Sequence, residues 1–213
     1  MTAKHPGNHI RILVVDDHFV VRMGLVATIN LEEDMTVVAE AGDGPQALEE
    51  YRRHKPDIVV MDLRMPDMDG VTATGALMRE TPPARVIVFS SFAGDENVRR
   101  ALEAGAHAYV IKSGPQSELI DAIRSVHAGK FYLPPALAAE LAQHVSRPGL
   151  NNEELEVLRL IVGGRSNKEI ADLLKVSEIT VKRRVGHILQ KLGPQDRTQA
   201  ATVAIQRGII QLT

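Results

Sequence analysis

Asp16, Asp17, Asp62, Ser90 and Lys112 are the residues of this sequence best suited by type to handle a phosphoryl group. Three carboxylates gathered in one place repel one another, and a hard divalent cation relieves that repulsion. Oxygen-only ligation by few protein groups suits Mg2+. The Lys112 ammonium is a point charge for a phosphoryl oxygen, and the Ser90 hydroxyl is a further hydrogen-bonding group. A carboxylate beside a metal can attack phosphorus and form an acyl phosphate. Taken singly, each residue has a plainer role. Asp17 could cap the helix that follows it, Asp62 could be a solvated loop acid, and Lys112 could be a snorkelling surface residue. Ser90 could be an ordinary strand-end hydroxyl. His18 reads as a partly exposed position near the mouth of the same pocket.

The argument for a common site lies in the elements that carry these residues. Ile10 to Val15 is a continuous apolar run ending at Asp16-Asp17, and Ile58 to Met61 ends at Asp62. Arg85 to Phe89 runs into Ser90-Ser91, Ala108 to Ile111 ends at Lys112, and Met35 to Ala41 completes a set of five strands. Helical spacing of apolar residues marks about 18–30, 45–54, 70–80, 95–104 and 116–128 between and after them. Strands alternating with helices predict a parallel, doubly wound sheet, and runs apolar on both faces fit strands covered from both sides. In such a sheet the carboxyl ends of the strands share one edge, where ligands bind.

Composition narrows the possibilities. The 213 residues are 44% hydrophobic and 24% charged, as in a globular protein, and no Cys is available for disulfides, thiolate zinc sites or nucleophiles. Aromatic residues make up only 3% and Trp is absent, which disfavours a base-stacking platform. No apolar run approaches the ~20 residues needed to span a bilayer. The first residues lack a signal-peptide core, so the expected location is the cytoplasm. The net charge of −2 conceals an asymmetry: residues 1–146 carry −6 and residues 147–213 carry +4. An acidic front joined to a basic tail suits a two-domain chain with a polyanionic partner. The expected divisions are a flexible N-terminus (1–9), a sheet domain (10–129), a linker with a short helix at Ala136 to Val145 (130–149) and a helical domain (150–213).

The tail reads as four helices. Asn152 to Val162 stops at Gly163-Gly164, and Ser166 to Glu169 forms a capping box for a helix reaching Leu174. Ser177 caps a third helix ending at Leu192-Gly193, and a last helix covers about Thr198 to Arg207. The tight connection at Lys175 to Ser177 makes the second and third a helix-turn-helix. On the third helix, Val181, Val185, Ile188 and Leu192 form an apolar stripe. Lys182, Arg183, Gly186, His187 and Gln190 point away from it, with Arg184 and Lys191 on the flank. Such a face suits the DNA major groove, although a charged stripe alone is more often a solvated surface.

The residues Val14 to His18, Met61 to Gly70, Ser90 and Tyr109 to Lys112 resemble the receiver domain of two-component response regulators. Leu150 to Arg207 is similar to the LuxR-type helix-turn-helix domain, through Glu154 to Leu158, Ser166 to Ala171, Val176 to Lys182, Ile188 to Gly193 and Arg197 to Ala200. Together they resemble the NarL/FixJ class of transcriptional regulators. The resemblance implies a CheY-like sheet of order 2-1-3-4-5, with Asp62 as phosphoacceptor. It also implies Mg2+ held by Asp16, Asp17, Asp62 and the backbone carbonyl of Arg64. Ser90 and Tyr109 would be the switch pair, and Lys112 would contact the phosphoryl group. The DNA-binding residues would be Lys182, Arg183, Arg184, Gly186, His187 and Lys191. The chain departs from the pattern at His107-Ala108, where Asp-Gly is usual. It departs again at Asn151 to Glu154, which lacks an Arg, at Arg184, where His is usual, and at Pro194.

The implied partners are a sensor histidine kinase, double-stranded DNA and, after phosphorylation, a second copy of the chain; no membrane is implied. Phosphorylation would draw Ser90 toward the new oxygens and turn Tyr109 inward, changing the surface of Val98 to Ala104 and Leu119 to Val126. Ala201, Ala204 and Ile205 could form a dimer stripe or plain core. An alternative is a DNA-binding regulator whose receiver is only a dimer scaffold, independent of phosphate. A phosphohydrolase would need a general acid two residues past Asp62, where Arg64 stands, so no enzyme activity on external substrates is expected.

Overall fold

Runs of β-branched and aliphatic residues set the frame. The computed structural model describes residues 9–80, 84–91, 94–144 and 149–210. The strands are β1 (Ile10–Val15), β2 (Met35–Ala41), β3 (Ile58–Met61), β4 (Val86–Ser90) and β5 (Ala108–Ile111). Helices α1 (Phe19–Asn30), α2 (Gly44–His54), α3 (Gly70–Leu77), α4 (Asp95–Glu103) and α5 (Gln116–His127) alternate with them. All pairings are parallel, in the order β2-β1-β3-β4-β5. Successive strand residues point to opposite faces, and the chain covers both. Ile12, Val14, Ile58, Val60, Ile87 and Val110 pack with Leu25 and Ile29 of α1 and with Leu119, Ile123 and Val126 of α5. On the other face Leu13, Val15, Val59, Met61 and Val86 pack with Ala47 and Tyr51 of α2 and Ala73 and Leu77 of α3.

The differences from the sequence-based boundaries are local. β4 extends through Ser90 because Ser90 pairs with Ile111 and its carbonyl accepts from Lys112 N at 2.8 Å. α3 ends at Leu77 rather than near 80, as the pattern tightens to i→i−3 bonds from Arg79 N to Ala76 O and Glu80 N to Leu77 O. Residues 1–8 of the expected N-terminal segment (1–9) and 145–148 of the expected linker (130–149) lie outside the described residues. A helix α6 (Pro135–His144) occupies the described part of that linker. Just before it, Tyr132 bridges to Ala108 at the open edge of β5, donating to His107 O at 3.0 Å. His107 stacks on Phe131 with ring centroids 5.5 Å apart. Burial, with Arg85 adding, holds the His107 pKa below its ordinary value, so a neutral aromatic ring stands where Asp-Gly is usual.

The helical domain comprises α7 (Asn152–Val162), α8 (Asn167–Leu174), α9 (Glu178–Leu192) and α10 (Arg197–Gln206). Val157, Leu158, Ile161, Ile170, Val181, Ile188, Leu192 and Ala204 form its core. The Ser166–Glu169 capping box is present, and Asn151–Glu154 forms a second one at α7. Ser177 caps α9 through Thr180 N, and Gly193 ends it at φ 89°, a left-handed conformation that favours glycine. Asp196, accepting from Gln199 N at 2.8 Å, starts α10 at Arg197 rather than Thr198. Among the described residues, no helix is long and apolar enough to cross a membrane.

The loop from Asp62 to Gly70 is tightly folded. Gly70 N donates to Leu63 O at 2.9 Å, Asp67 sits at φ 63°, and Asp69 caps α3 through Thr72 N at 2.8 Å. A Cβ on Gly70 would lie 2.0 Å from the Asp62 carbonyl oxygen. The absent side chain therefore lets α3 begin directly against the backbone of Asp62. Gly70→Ala is expected to destabilise the protein by about 1–3 kcal/mol by forcing this backbone apart, measured as a lowered urea midpoint.

Candidate functional site

Backbone hydrogen bonds fix the acidic residues immediately past the strand ends. Asp16 N donates to Ala41 O at 3.1 Å, and Asp62 N donates to Val15 O at 2.9 Å, so β1 and β3 present both carboxylates at one rim. Asp16 and Asp62 are both buried, 1% and 5% exposed, while Asp17 is half-buried. Lys112, just past β5, bridges them: Nζ lies 2.6 Å from Asp16 Oδ2 and 2.9 Å from Asp62 Oδ2. The other oxygens are also engaged. Asp62 Oδ1 accepts from Leu63 N at 2.7 Å, and Asp16 Oδ1 accepts from His18 N at 2.9 Å.

Asp17 does not cap α1. The N-cap position is His18, and no side chain there accepts a helix N–H. Instead Asp17 Oδ1 lies 2.7 Å from Nδ1 of His18, which is exposed. Ligating atoms of Asp16, Asp17, His18 and Asp62 all fall within 4.8 Å of one another. Two opposite ligands at about 2.1 Å from a cation stand about 4.2 Å apart, close to that span. Because the buried donors are carboxylate oxygens, the set fits Mg2+ better than a metal that prefers imidazole. Arg64 lies two residues past Asp62 in the same tight loop.

The electrostatics are those of a partly balanced pocket. Burial pushes the Asp62 carboxyl above its ordinary value; Lys112 opposes this, and Asp16 adds to it. Burial works against the Lys112 ammonium, but its hydrogen bonds to Asp16 and Asp62 outweigh that and hold its pKa above the usual lysine value. Ser90 and Tyr109 are fully buried. Burial pushes the Tyr109 phenol up to about 12, against a hydrogen bond with Ser90, so it is neutral at physiological pH. The ring already occupies an inward position, the place expected of it only after phosphorylation.

One residue of this neighbourhood lacks a signal in the sequence. Arg22 reaches from α1, donates to the Asp16 carbonyl at 2.6 Å and pairs with Glu40 at 3.2 Å. Its place is set by α1 lying beside β2, which no local motif announces.

On α9, Val181, Ile188 and Leu192 are buried and Val185 packs against them. Lys182, Arg183, Gly186 and His187 are exposed. A Cβ built on Gly186 would meet nothing within 4 Å, so that side of the helix is open. The flanking residues behave differently. Arg184 is only 14% exposed and pairs with Glu153 at 2.7 Å. Lys191 lies 2.7 Å from Oε2 of the buried Glu154 and donates to the Gly149 carbonyl at 3.2 Å. Two departures from the familiar pattern therefore meet: Glu153 stands where an Arg is usual, Arg184 where a His is usual, and the two attract. Glu153 and Glu154 were missed as partners because ion pairs between separate helices leave no local pattern. Ala201 and Ala204 pack in the domain core, and Ile205 is partly exposed.

Comparison with known proteins finds two families in the chain. Residues 12–124 match the response regulator receiver domain, and residues 149–204 match the bacterial regulatory proteins of the luxR family. The response regulator protein VraR of Staphylococcus epidermidis is 38% identical over 207 residues, covering 95% of this chain and 99% of its own. Among solved structures, the response regulator ChrA of a heme-sensing two-component system is 38% identical. The match covers 95% of this chain and 100% of ChrA, with a TM-score of 0.58. The two-component response regulator RcsB, solved as a DNA complex, is 25% identical over 93% of this chain and 99% of its own, with a TM-score of 0.73.

The Glu154–Lys191 pair generates a stability prediction. Lys191→Met leaves the buried Glu154 carboxylate without its ammonium and is expected to cost about 1–3 kcal/mol. Urea unfolding measures this loss, and an unchanged midpoint would show that the pair contributes nothing.

Proposed function

Because the chain belongs to the two-component response regulators that join a receiver to a luxR-type DNA-binding domain, we propose that Asp62 accepts a phosphoryl group from a sensor histidine kinase and that this event controls DNA binding. The observation that carries the reading is the pair of buried carboxylates, Asp16 and Asp62, bridged by Lys112. Mg2+, held by Asp16, Asp17, Asp62 and the Arg64 carbonyl, would supply charge neutralisation around the incoming phosphoryl oxygens.

The chain's own residues do the rest. An oxygen of Asp62 attacks the phosphorus of a phosphohistidine; the O–P bond forms as the P–N bond breaks, and the electron pair leaves with the imidazole. Burial keeps this carboxylate poorly solvated, so little water must be displaced before attack. Lys112 is placed to exchange part of its pairing with Asp62 for a phosphoryl oxygen. Ser90, fully buried at the end of β4, is the hydroxyl in position to follow. Tyr109 is its partner across the β4–β5 pair.

In the helical domain, Lys182, Arg183, Gly186 and His187 would face the major groove, with Arg184 and Lys191 at its margin. As these two are tied to Glu153 and Glu154, their first task is to hold α9 against α7. A homodimer formed on phosphorylation and a cytoplasmic location complete the reading. The chemistry is confined to the chain's own Asp62, with no turnover of an external substrate. The phosphate-independent alternative has one observation in its favour: Tyr109 is already inward.

Acetyl phosphate with magnesium is expected to add one hydroxylamine-labile phosphoryl group, seen by intact-mass spectrometry, and Asp62→Asn is expected to abolish it. DNA affinity should rise with the phosphodonor and fall steeply with salt. Equal affinity with and without phosphodonor would favour the alternative.

A further inference from the structure

Helix α9 begins with a large apolar side chain that the domain core does not use. Ile179, its second residue, is 79% exposed. An isolated exposed aliphatic residue is ordinary, so what matters is where it points. At about 100° per residue, Ile179 falls on one face with Lys182, Arg183, Gly186, His187 and Gln190. It lies nearly opposite the stripe of Val181, Val185, Ile188 and Leu192. Lys182, Arg183, Gly186, His187 and Gln190 are all exposed too. Ile179 is therefore the apolar member of a cationic, open helix face, and it lies in the first turn. In helix-turn-helix proteins that docking end of the recognition helix is the part which reaches base edges.

We infer that Ile179 is a specificity-determining residue that packs against the 5-methyl group of a thymine in the major groove. The inference rests on the DNA-binding reading above. The chemistry is selective: of the four bases only thymine shows a methyl group in that groove, and an aliphatic side chain recognises it by contact. Neighbouring Lys182 and Arg183 supply attraction to the polyanion, which carries no sequence information by itself. Gly186, about two turns further along, adds no side chain to this face and leaves the helix room to lie close. Leu173 is also exposed, but it lies on α8, away from the basic face, and is given no such role.

The test uses the full-length chain with phosphodonor. Duplexes are selected from a random library, and each thymine of the preferred site is then replaced singly by deoxyuridine, which lacks the methyl group. Affinities are read by fluorescence anisotropy at one salt concentration. The wild-type chain is expected to lose about fourfold at one thymine of each half-site, as burial of one methyl group implies. Ile179→Ala should bind thymine and deoxyuridine equally at that position, with its salt dependence unchanged. Equal binding of the two bases by the wild type at every position would overturn the inference, as would discrimination that survives in Ile179→Ala. Because the deoxyuridine comparison leaves the protein untouched, it does not depend on how the variant folds. Selection of no preferred duplex would instead remove the DNA-binding reading, and the inference with it.

Discussion

Two buried carboxylates share one ammonium. Asp16 and Asp62 both lie within hydrogen-bonding distance of Lys112 Nζ, and that arrangement governs the receiver. Without that ammonium either buried carboxylate would lose hydration with no opposite charge to compensate it. With it the two still carry more negative charge than one lysine balances, and half-buried Asp17 adds to the excess. A pocket of this kind keeps an excess of negative charge, which is why a further cation is proposed for it. Backbone hydrogen bonds to Ala41 and Val15 hold the two residues that carry this charge at one rim.

The parallel sheet is what makes such crowding possible. Since all five strands run the same way, their carboxyl ends open on a single rim, and residues distant in the chain arrive side by side. Strands β1, β3, β4 and β5 are almost entirely buried, with separate apolar cores on the two faces of the sheet. The cost of holding charges at the rim is thus met by burial behind it. Gly70 belongs to the same economy of space, because only a residue without a side chain lets α3 start against the carbonyl of Asp62.

Much of this was legible in the residues. Four of the five apolar runs stop at a polar residue, and that pattern puts Asp16, Asp17, Asp62 and Lys112 at one edge, where the structure has them side by side. The capping residues Ser166 and Ser177 and the terminating Gly193 likewise marked the helix-turn-helix. What stayed hidden depends on contacts between elements. Ser90 belongs to β4 because of its pairing with Ile111. Asp17, which looked suited to capping α1, turns instead to His18. Arg184 and Lys191 read as DNA-facing cations until their partners on α7 are seen. Periodicity finds the side of a helix that is buried, but it does not reveal which charges on the flank are already matched.

The balance of charge at the rim can be tested by titrating magnesium into the protein and following the heat. One site is expected for the wild-type chain, lost or weakened at least tenfold in Asp16→Asn, where one buried donor has been neutralised while Lys112 remains paired with Asp62. Equal magnesium affinity in the two proteins would contradict the view that these carboxylates form a single cation-seeking pocket.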